Sequence, residues 1–240
     1  MLAAIDAVDR AALAATIAAV EAVPHLKGFL AAILDLYLVK SAIPMAGLWL
    51  LWLWPSGRIE PRFDLIVTSL AGLAAGLFLG RAGQLLLPTR LRPILEPDTA
   101  PLLPLPGLGE AFGGWSSFPS DHATLAGALI AAALAVSRPV GLAMALWLCV
   151  LNLLPRLYLG VHWWSDVIAG LALGAGVGWA IIRAGLPGWL LSPLRSLAAR
   201  APALAMAGLF IASFEIATNF DGTRGLAQAL ARGATTTAGA

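Results

Sequence analysis

The apolar positions of this chain fall in long runs, not in the short alternations of a water-soluble domain. A run of about 20 such residues is what a bilayer-spanning helix needs. The first covers about 28–54, carries Trp49, Trp52 and Trp54 as an interfacial belt, and closes at Pro55, Ser56 and Gly57. The second covers about 65–87, with Arg81 near its far end and Pro88 closing it. A Pro- and Gly-rich loop over about 89–118 follows, a length uncommon without a function. Spans are predicted over about 120–136, 140–159, 162–182 and 203–217, with a tight turn at Ser137, Arg138 and Pro139. The stretch 185–201 is broken by Pro187 and Pro193 and carries Arg195 and Arg200. Residues 4–22 scatter Asp6, Asp9, Arg10 and Glu21 among Ala, Ile, Val and Leu, which predicts a weakly amphipathic helix at the membrane surface. The expected architecture is all-α: an integral membrane six-helix bundle with an N-terminal interfacial helix. Its parts are an amphipathic segment (1–27), a six-span domain (28–218) and a small, polar, disordered tail (219–240).

Composition agrees. Of 240 residues 60% are hydrophobic and 12% charged, against roughly 25% charged in soluble domains, and the mean hydropathy is +0.85. A net charge of +2 with no basic run excludes nucleic acid as a partner. Cys149 stands alone and reads as a small packing residue. The first residues lack the basic start and short apolar core of a secretory signal. Arg58, Arg62, Arg138, Arg183, Arg195 and Arg200 outnumber Arg10, Lys27, Arg224 and Arg232 on the opposite face. That bias puts the termini and the long loop outside the cytoplasm, in a multi-pass inner (plasma) membrane protein facing the periplasm or exterior.

The remaining ionisable residues gather on that outer face at three places: Arg81 with Arg90 and Arg92; Ser120, Asp121 and His122; Arg156, His162 and Asp166. The ends of four predicted spans bring them together. His162 and Asp166 share one helical face, so the carboxylate can fix the imidazole tautomer and leave the other nitrogen as nucleophile. Arg156 can grip an oxyanion with its fork. Ser120 can cap a helix whose open amides favour an anion, with His122 beside it as acid–base partner. Other polar residues read more plainly. His25 is interfacial; Asp35 and Lys40 are either an intramembrane pair or membrane-edge residues. Glu215 either touches the bundle or snorkels, and Trp163 and Trp164 fit an aromatic belt.

These motifs resemble the type 2 phosphatidic acid phosphatase (PAP2) superfamily, which also holds the vanadium haloperoxidases. The family shows a Lys-containing Arg-Pro motif, then Pro-Ser-Gly-His, then Ser-Arg, five residues, His, three residues, Asp. Here the last reads Pro155-Arg156, five residues, His162, three residues, Asp166. The resemblance covers about 65–182, with core motifs over 81–166. It implies that His162 attacks phosphorus to give a phosphohistidine, Asp166 supports it, and His122 protonates the leaving oxygen and then activates water. Arg92, Arg156, Ser120 and the Asp121 amide would bind phosphate oxygens, with no metal and no cofactor. The chain departs from the family at Leu85, where lysine is usual, leaving Arg81 or Arg90 to supply that charge. It departs also at Pro155 and at Asp121, and Pro119-Ser120-Asp121-His122 resembles the branch that hydrolyses undecaprenyl diphosphate. The implied function is a membrane lipid phosphatase, with undecaprenyl diphosphate the favoured substrate. Phosphatidic acid, phosphatidylglycerophosphate, lipid A phosphates or phosphotransfer to a lipid are alternatives. A non-catalytic lipid-binding protein is the alternative of another class, disfavoured because binding needs only the arginines. The sequence does not indicate an oligomeric state.

Overall fold

Every regular element in the computed structural model is helical; no strand occurs among the described residues, which are 2–54, 62–104 and 114–237. The expected helix stop at Pro55, Ser56 and Gly57, the charge of Arg58 and the middle of the long loop lie outside them. The chain forms two compact units, Met1–Leu186 and Pro187–Ala240.

The first unit begins with α1 (Leu2–Glu21) and α2 (Leu26–Ile33), which meet at a 116° bend where His25 adopts a left-handed φ of 67°. Asp9, Leu13, Thr16 and Val20 form the buried stripe of α1. α1 is therefore packed on protein along a face that includes a carboxylate. The first apolar run is broken after Ile33, resumes in a π-helical turn (Leu38–Ala42) and continues as α3 (Ile43–Leu53). Trp54 is exposed, but Trp52 is buried edge-on to Trp49 with ring centroids 5.4 Å apart. α4 (Phe63–Leu86), α5 (Asp121–Val136), α6 (Arg138–Leu148), a second π-helical turn (Cys149–Leu153), α7 (Leu154–Tyr158) and α8 (Trp164–Ala184) complete the unit. α6 opens at Arg138, inside the expected turn, because Pro139 is tolerated in a first helical turn where its missing N–H has no partner to lose.

Each π-helical turn lies two residues before a proline, Pro44 or Pro155. A proline ring crowds the carbonyl four residues back and cannot bond to it, and a widened turn relieves that clash. Lys40 is the residue four before Pro44, and the Asn152 side chain donates to its carbonyl at 3.2 Å. The two widened turns thus face each other, joined through Asn152. Cys149, expected in packing, is exposed on the second turn.

α5 and α8 approach almost backbone to backbone. A Cβ at Gly174 would strike the Thr124 carbonyl, and one at Gly170 the Ser120 carbonyl. This fixes the start of α5 against the start of α8, where Ser120 donates its N–H to the Asp166 carbonyl at 3.1 Å.

Phe63–Leu86, Arg138–Tyr158 and Trp164–Ala184 are long and apolar enough to cross a membrane, and five such spans result if each of two bent pairs counts as one. Leu38–Leu53 and Asp121–Val136 are apolar but shorter, so the expected six is not reached by length and composition.

The second unit holds α9 (Gly188–Arg200), α10 (Pro202–Ala217) and α11 (Asp221–Thr237). Pro187 precedes α9 and Pro193 sits inside it without ending it, unlike the predicted break. Within the tail expected to be disordered, Asp221–Thr237 is helical. Asn219 and Phe220, both left-handed, reverse the chain, and Thr223 of α11 donates to Glu215 of α10 at 2.7 Å. Glu215 is thus engaged by the tail.

Candidate active site

The site is built where the long loop crosses the starts of α5 and α8. Ser117 donates its N–H to the Arg90 carbonyl at 2.9 Å, and Ile94 donates to Gly160 at 2.9 Å. The three clusters expected on one face are therefore stitched together by backbone hydrogen bonds as well as by side chains.

His162 is 2% exposed. Its Nδ1 lies 2.9 Å from the Ser117 carbonyl and 3.8 Å from Asp166 Oδ2. A carbonyl only accepts, so Nδ1 carries the proton and Nε2 keeps its lone pair. That nitrogen faces Arg92 Nη1 at 3.3 Å, and Nη1 also donates to the Val161 carbonyl at 3.0 Å. Burial lowers the His162 pKa from its ordinary 6.5 and Arg92 lowers it further, while Asp166 pulls it back up. The ring is thus held in the form that keeps a lone pair on Nε2. Asp166 was expected to orient the ring directly. Instead its Oδ2 accepts from the Trp163 N–H at 2.8 Å and its Oδ1 from Arg90 at 2.7 Å. It sets the frame and the field around His162, and the carbonyl of Ser117 fixes the tautomer.

Arg90 was expected in the phosphate cradle. Its guanidinium is taken up by Asp166 at 2.7 Å, Ser165 Oγ at 2.6 Å and Asp9 Oδ2 at 2.7 Å. Asp9 also accepts from the Ser165 N–H at 2.9 Å and Ser165 Oγ at 2.5 Å, so α1 caps the start of α8. Further links along α1 join Arg10 to Glu96 at 2.6 Å, Thr16 to Trp164 at 3.0 Å and Glu21 to Tyr158 at 2.6 Å. Trp163, expected in the interfacial belt, is buried under Arg10 and Arg90 and donates to the Leu91 carbonyl at 2.9 Å.

The second imidazole is wetter. The His122 side chain is 22% exposed, with Nδ1 2.9 Å from Asp121 Oδ1. Asp121 Oδ2 meets Arg81 at 2.7 Å. Arg81 also donates to Gln84, whose amide donates to the Pro119 carbonyl at 2.8 Å. Asp121 had been expected to offer its amide to phosphate; its carboxylate serves His122 and Arg81. Arg81 is thereby the carboxylate's counter-ion at the mouth. Ser120 caps α5 through its Oγ, which accepts from Ala123 at 3.4 Å.

Arg156 is buried, and its Nη1 donates to both the Asn152 carbonyl and Oδ1 at 2.7 Å. Asp121 lies within electrostatic reach of His162, Arg92 and Arg156, and Arg156 within reach of His122. Burial lowers the Arg92 pKa, while Asp121 and Asp166 pull it back up. Two imidazoles and two buried guanidinium groups thus gather around Asp121, a composition suited to an oxyanion.

A helical membrane protein with such a site is defined further by its likeness to known sequences. Residues 65–187 match the PAP2 superfamily, and the chain belongs to that superfamily. It is 50% identical over 62 residues to decaprenylphosphoryl-5-phosphoribose phosphatase of Mycobacterium tuberculosis (strain ATCC 25618 / H37Rv), covering 26% of this chain and 33% of that protein. It is 28% identical over 150 residues to lipid A 1-diphosphate synthase of Escherichia coli (strain K12), covering 62% of this chain and 60% of that protein. The chain thus aligns with less than two thirds of either relative. No solved structure matches it.

Sequence reasoning missed Asp9, Gln84, Asn152 and the Ser117 carbonyl. Asp9 announces itself as the one acid on an otherwise neutral helical stripe, and Asn152 as an amide inside an apolar run. A backbone acceptor leaves no signal in sequence.

Proposed function

We propose that this protein is a membrane lipid phosphatase acting through a phosphohistidine at His162. Nε2 attacks phosphorus, a P–N bond forms, and the bond from phosphorus to the leaving oxygen breaks. Doubly protonated His122, its Nδ1–H held by Asp121, gives its Nε2 proton to that oxygen. Neutral His122 then takes a proton from water, whose oxygen attacks phosphorus; the P–N bond breaks and phosphate leaves. Arg92 and Arg156 hold the equatorial oxygens, and Ser120 with the first amides of α5 supplies further donors. The observation carrying this reading is the His162 ring, clamped at Nδ1 by a carbonyl 2.9 Å away with Nε2 turned to Arg92.

The favoured substrate is a prenyl diphosphate such as undecaprenyl diphosphate. Support comes from Asp121 in the second motif and from the names of the two relatives, one a phosphatase of a decaprenyl-linked phosphate, the other a synthase of a lipid diphosphate. That second likeness, spanning 62% of this chain, also favours phosphotransfer to a lipid as the second reading. The arginine bias supports a site on the periplasmic or exterior side of the inner membrane. Detergent-solubilised protein should release phosphate from prenyl diphosphate faster than from phosphatidic acid, and His162→Ala should not. Equal release by both proteins refutes the phosphohistidine, and preference for the glycerolipid refutes the substrate.

A further inference from the structure

Lys40 lies outside the family match, in the π-helical turn Leu38–Ala42 of an apolar helix. A buried cation at such depth is expensive unless something charged meets it. Lys40 is 4% exposed, yet Asp35, 3.7 Å away, is 77% exposed at its side chain, so that pair is held in a polar medium from one side only and contributes little. The Tyr37 ring lies 3.8 Å from Nζ. Sequence alone left Lys40 between an intramembrane pair and a membrane-edge residue; in the fold its side chain is buried against protein.

The placement of Lys40 is deliberate in the fold. Pro44 withholds the hydrogen bond its carbonyl would receive, and Asn152 replaces it at 3.2 Å. The same Asn152 accepts from Arg156 at 2.7 Å. Trp147 pins the neighbouring Val39 carbonyl at 2.9 Å. One amide therefore ties the turn bearing Lys40 to the guanidinium of the anion pocket. The ammonium is within electrostatic reach of Arg156, Asp121 and His122, whereas the leading charges acting on His162 are Arg92, Asp166 and Asp121. Leu85, which stands where the family has lysine, is 68% exposed and outside the pocket.

We infer that Lys40 is a substrate-binding residue on the leaving-group side of the pocket, where it meets the second phosphate of a lipid diphosphate. This rests on the phosphatase reading and deepens it. When His162 takes the terminal phosphoryl group of a diphosphate, the departing lipid monophosphate gains charge beside His122, and the ammonium of Lys40 neutralises it. A monoester leaves as a neutral alcohol once protonated and needs no such cation. The site is thereby selective for lipid diphosphates over monoesters.

The test combines turnover with binding of methylenediphosphonate, followed as thermal stabilisation of the intact detergent-solubilised protein. Lys40→Met should cut kcat/KM for a prenyl diphosphate by on the order of tenfold to a hundredfold, the worth of one hydrogen bond to a charged group. Turnover of phosphatidic acid should change by less than about threefold, and methylenediphosphonate affinity should fall. Lys40→Arg should restore most of each. Asp35→Asn should leave methylenediphosphonate binding as in the wild type, which separates an anion contact from an internal ion pair. Unchanged methylenediphosphonate affinity and an unchanged diphosphate-to-monoester ratio in Lys40→Met would overturn the inference, as would an Asp35→Asn variant that copies it. Wild-type protein that binds methylenediphosphonate through Lys40 but hydrolyses neither lipid would refute the phosphatase reading and leave the anion contact standing.

Discussion

The two imidazoles of the pocket are held alike and surrounded differently. Each has Nδ1 against an acceptor 2.9 Å away, which leaves Nε2 as the nitrogen available for chemistry. For buried His162 the acceptor is a neutral carbonyl, which favours a neutral ring with a lone pair. For His122 it is a carboxylate, which favours a second proton on the ring against the burial and the Arg156 charge that oppose it. The difference supports the proposed roles: attack by His162, proton delivery and recovery by His122. Carboxylates serve both, but Asp121 touches its imidazole, whereas Asp166 lies 3.8 Å off and acts through the Trp163 amide and Arg90.

The sharpest break in that comparison is His122→Ala. Loss of a positioned acid–base group should lower kcat by about 10² to 10⁴, read as phosphate release from prenyl diphosphate. The loss should shrink for an aryl phosphate, whose leaving group needs no proton. An equal loss for both substrates would deny His122 the acid role. Asp121→Asn comes next. It weakens the grip on His122 and frees Arg81, so kcat should fall by about tenfold with the same leaving-group dependence. Asp166→Asn should slow aryl and prenyl substrates alike, since it acts on the nucleophile; a leaving-group dependence there would erase the distinction between the two carboxylates.

Asp9→Ala tests the frame behind His162. Arg90 and Ser165 lose a buried acceptor, and unfolding in detergent should become easier by about 2 kcal/mol. Turnover should fall by a smaller factor than with Asp121→Asn. Thermal unfolding unchanged from wild type would show that α1 is not part of the frame. The smallest effect is on pH. Burial depresses the His162 pKa below 6.5, so the ring stays unprotonated to lower pH and the acid limb of kcat/KM falls below 6.5. Asp166 raises that pKa, so Asp166→Asn should move the limb lower still. A limb at or above 6.5, once substrate ionisation is allowed for, contradicts the buried, neutral ring.

The motif spacing pointed to side chains that the fold brings together. His162, Asp166, His122, Arg92 and Arg156 converge because α5 and α8 begin side by side, which Gly170 and Gly174 permit. Three things were not legible. The tautomer lock is a backbone carbonyl, set by the path of the loop through Ser117. Arg90 and Arg81 looked like phosphate ligands because sequence shows a charge and not its counter-ion; Asp9 and Asp121 claim them. The N-terminal segment looked like a surface helix because its polar residues are few, and burial of two of them, Asp9 and Thr16, changes what the helix does. The apolar runs located the helices well but not their breaks, since the π-helical turns arise from Pro44 and Pro155 acting on carbonyls four residues back.

The most direct test is to quench the enzyme during turnover of a prenyl diphosphate labelled in its terminal phosphate and map the label. Wild-type protein should carry an acid-labile, alkali-stable phosphoramidate on His162, and His122→Ala should accumulate it. Label on another side chain, or sustained hydrolysis by His162→Ala with no phosphoprotein, would contradict the account.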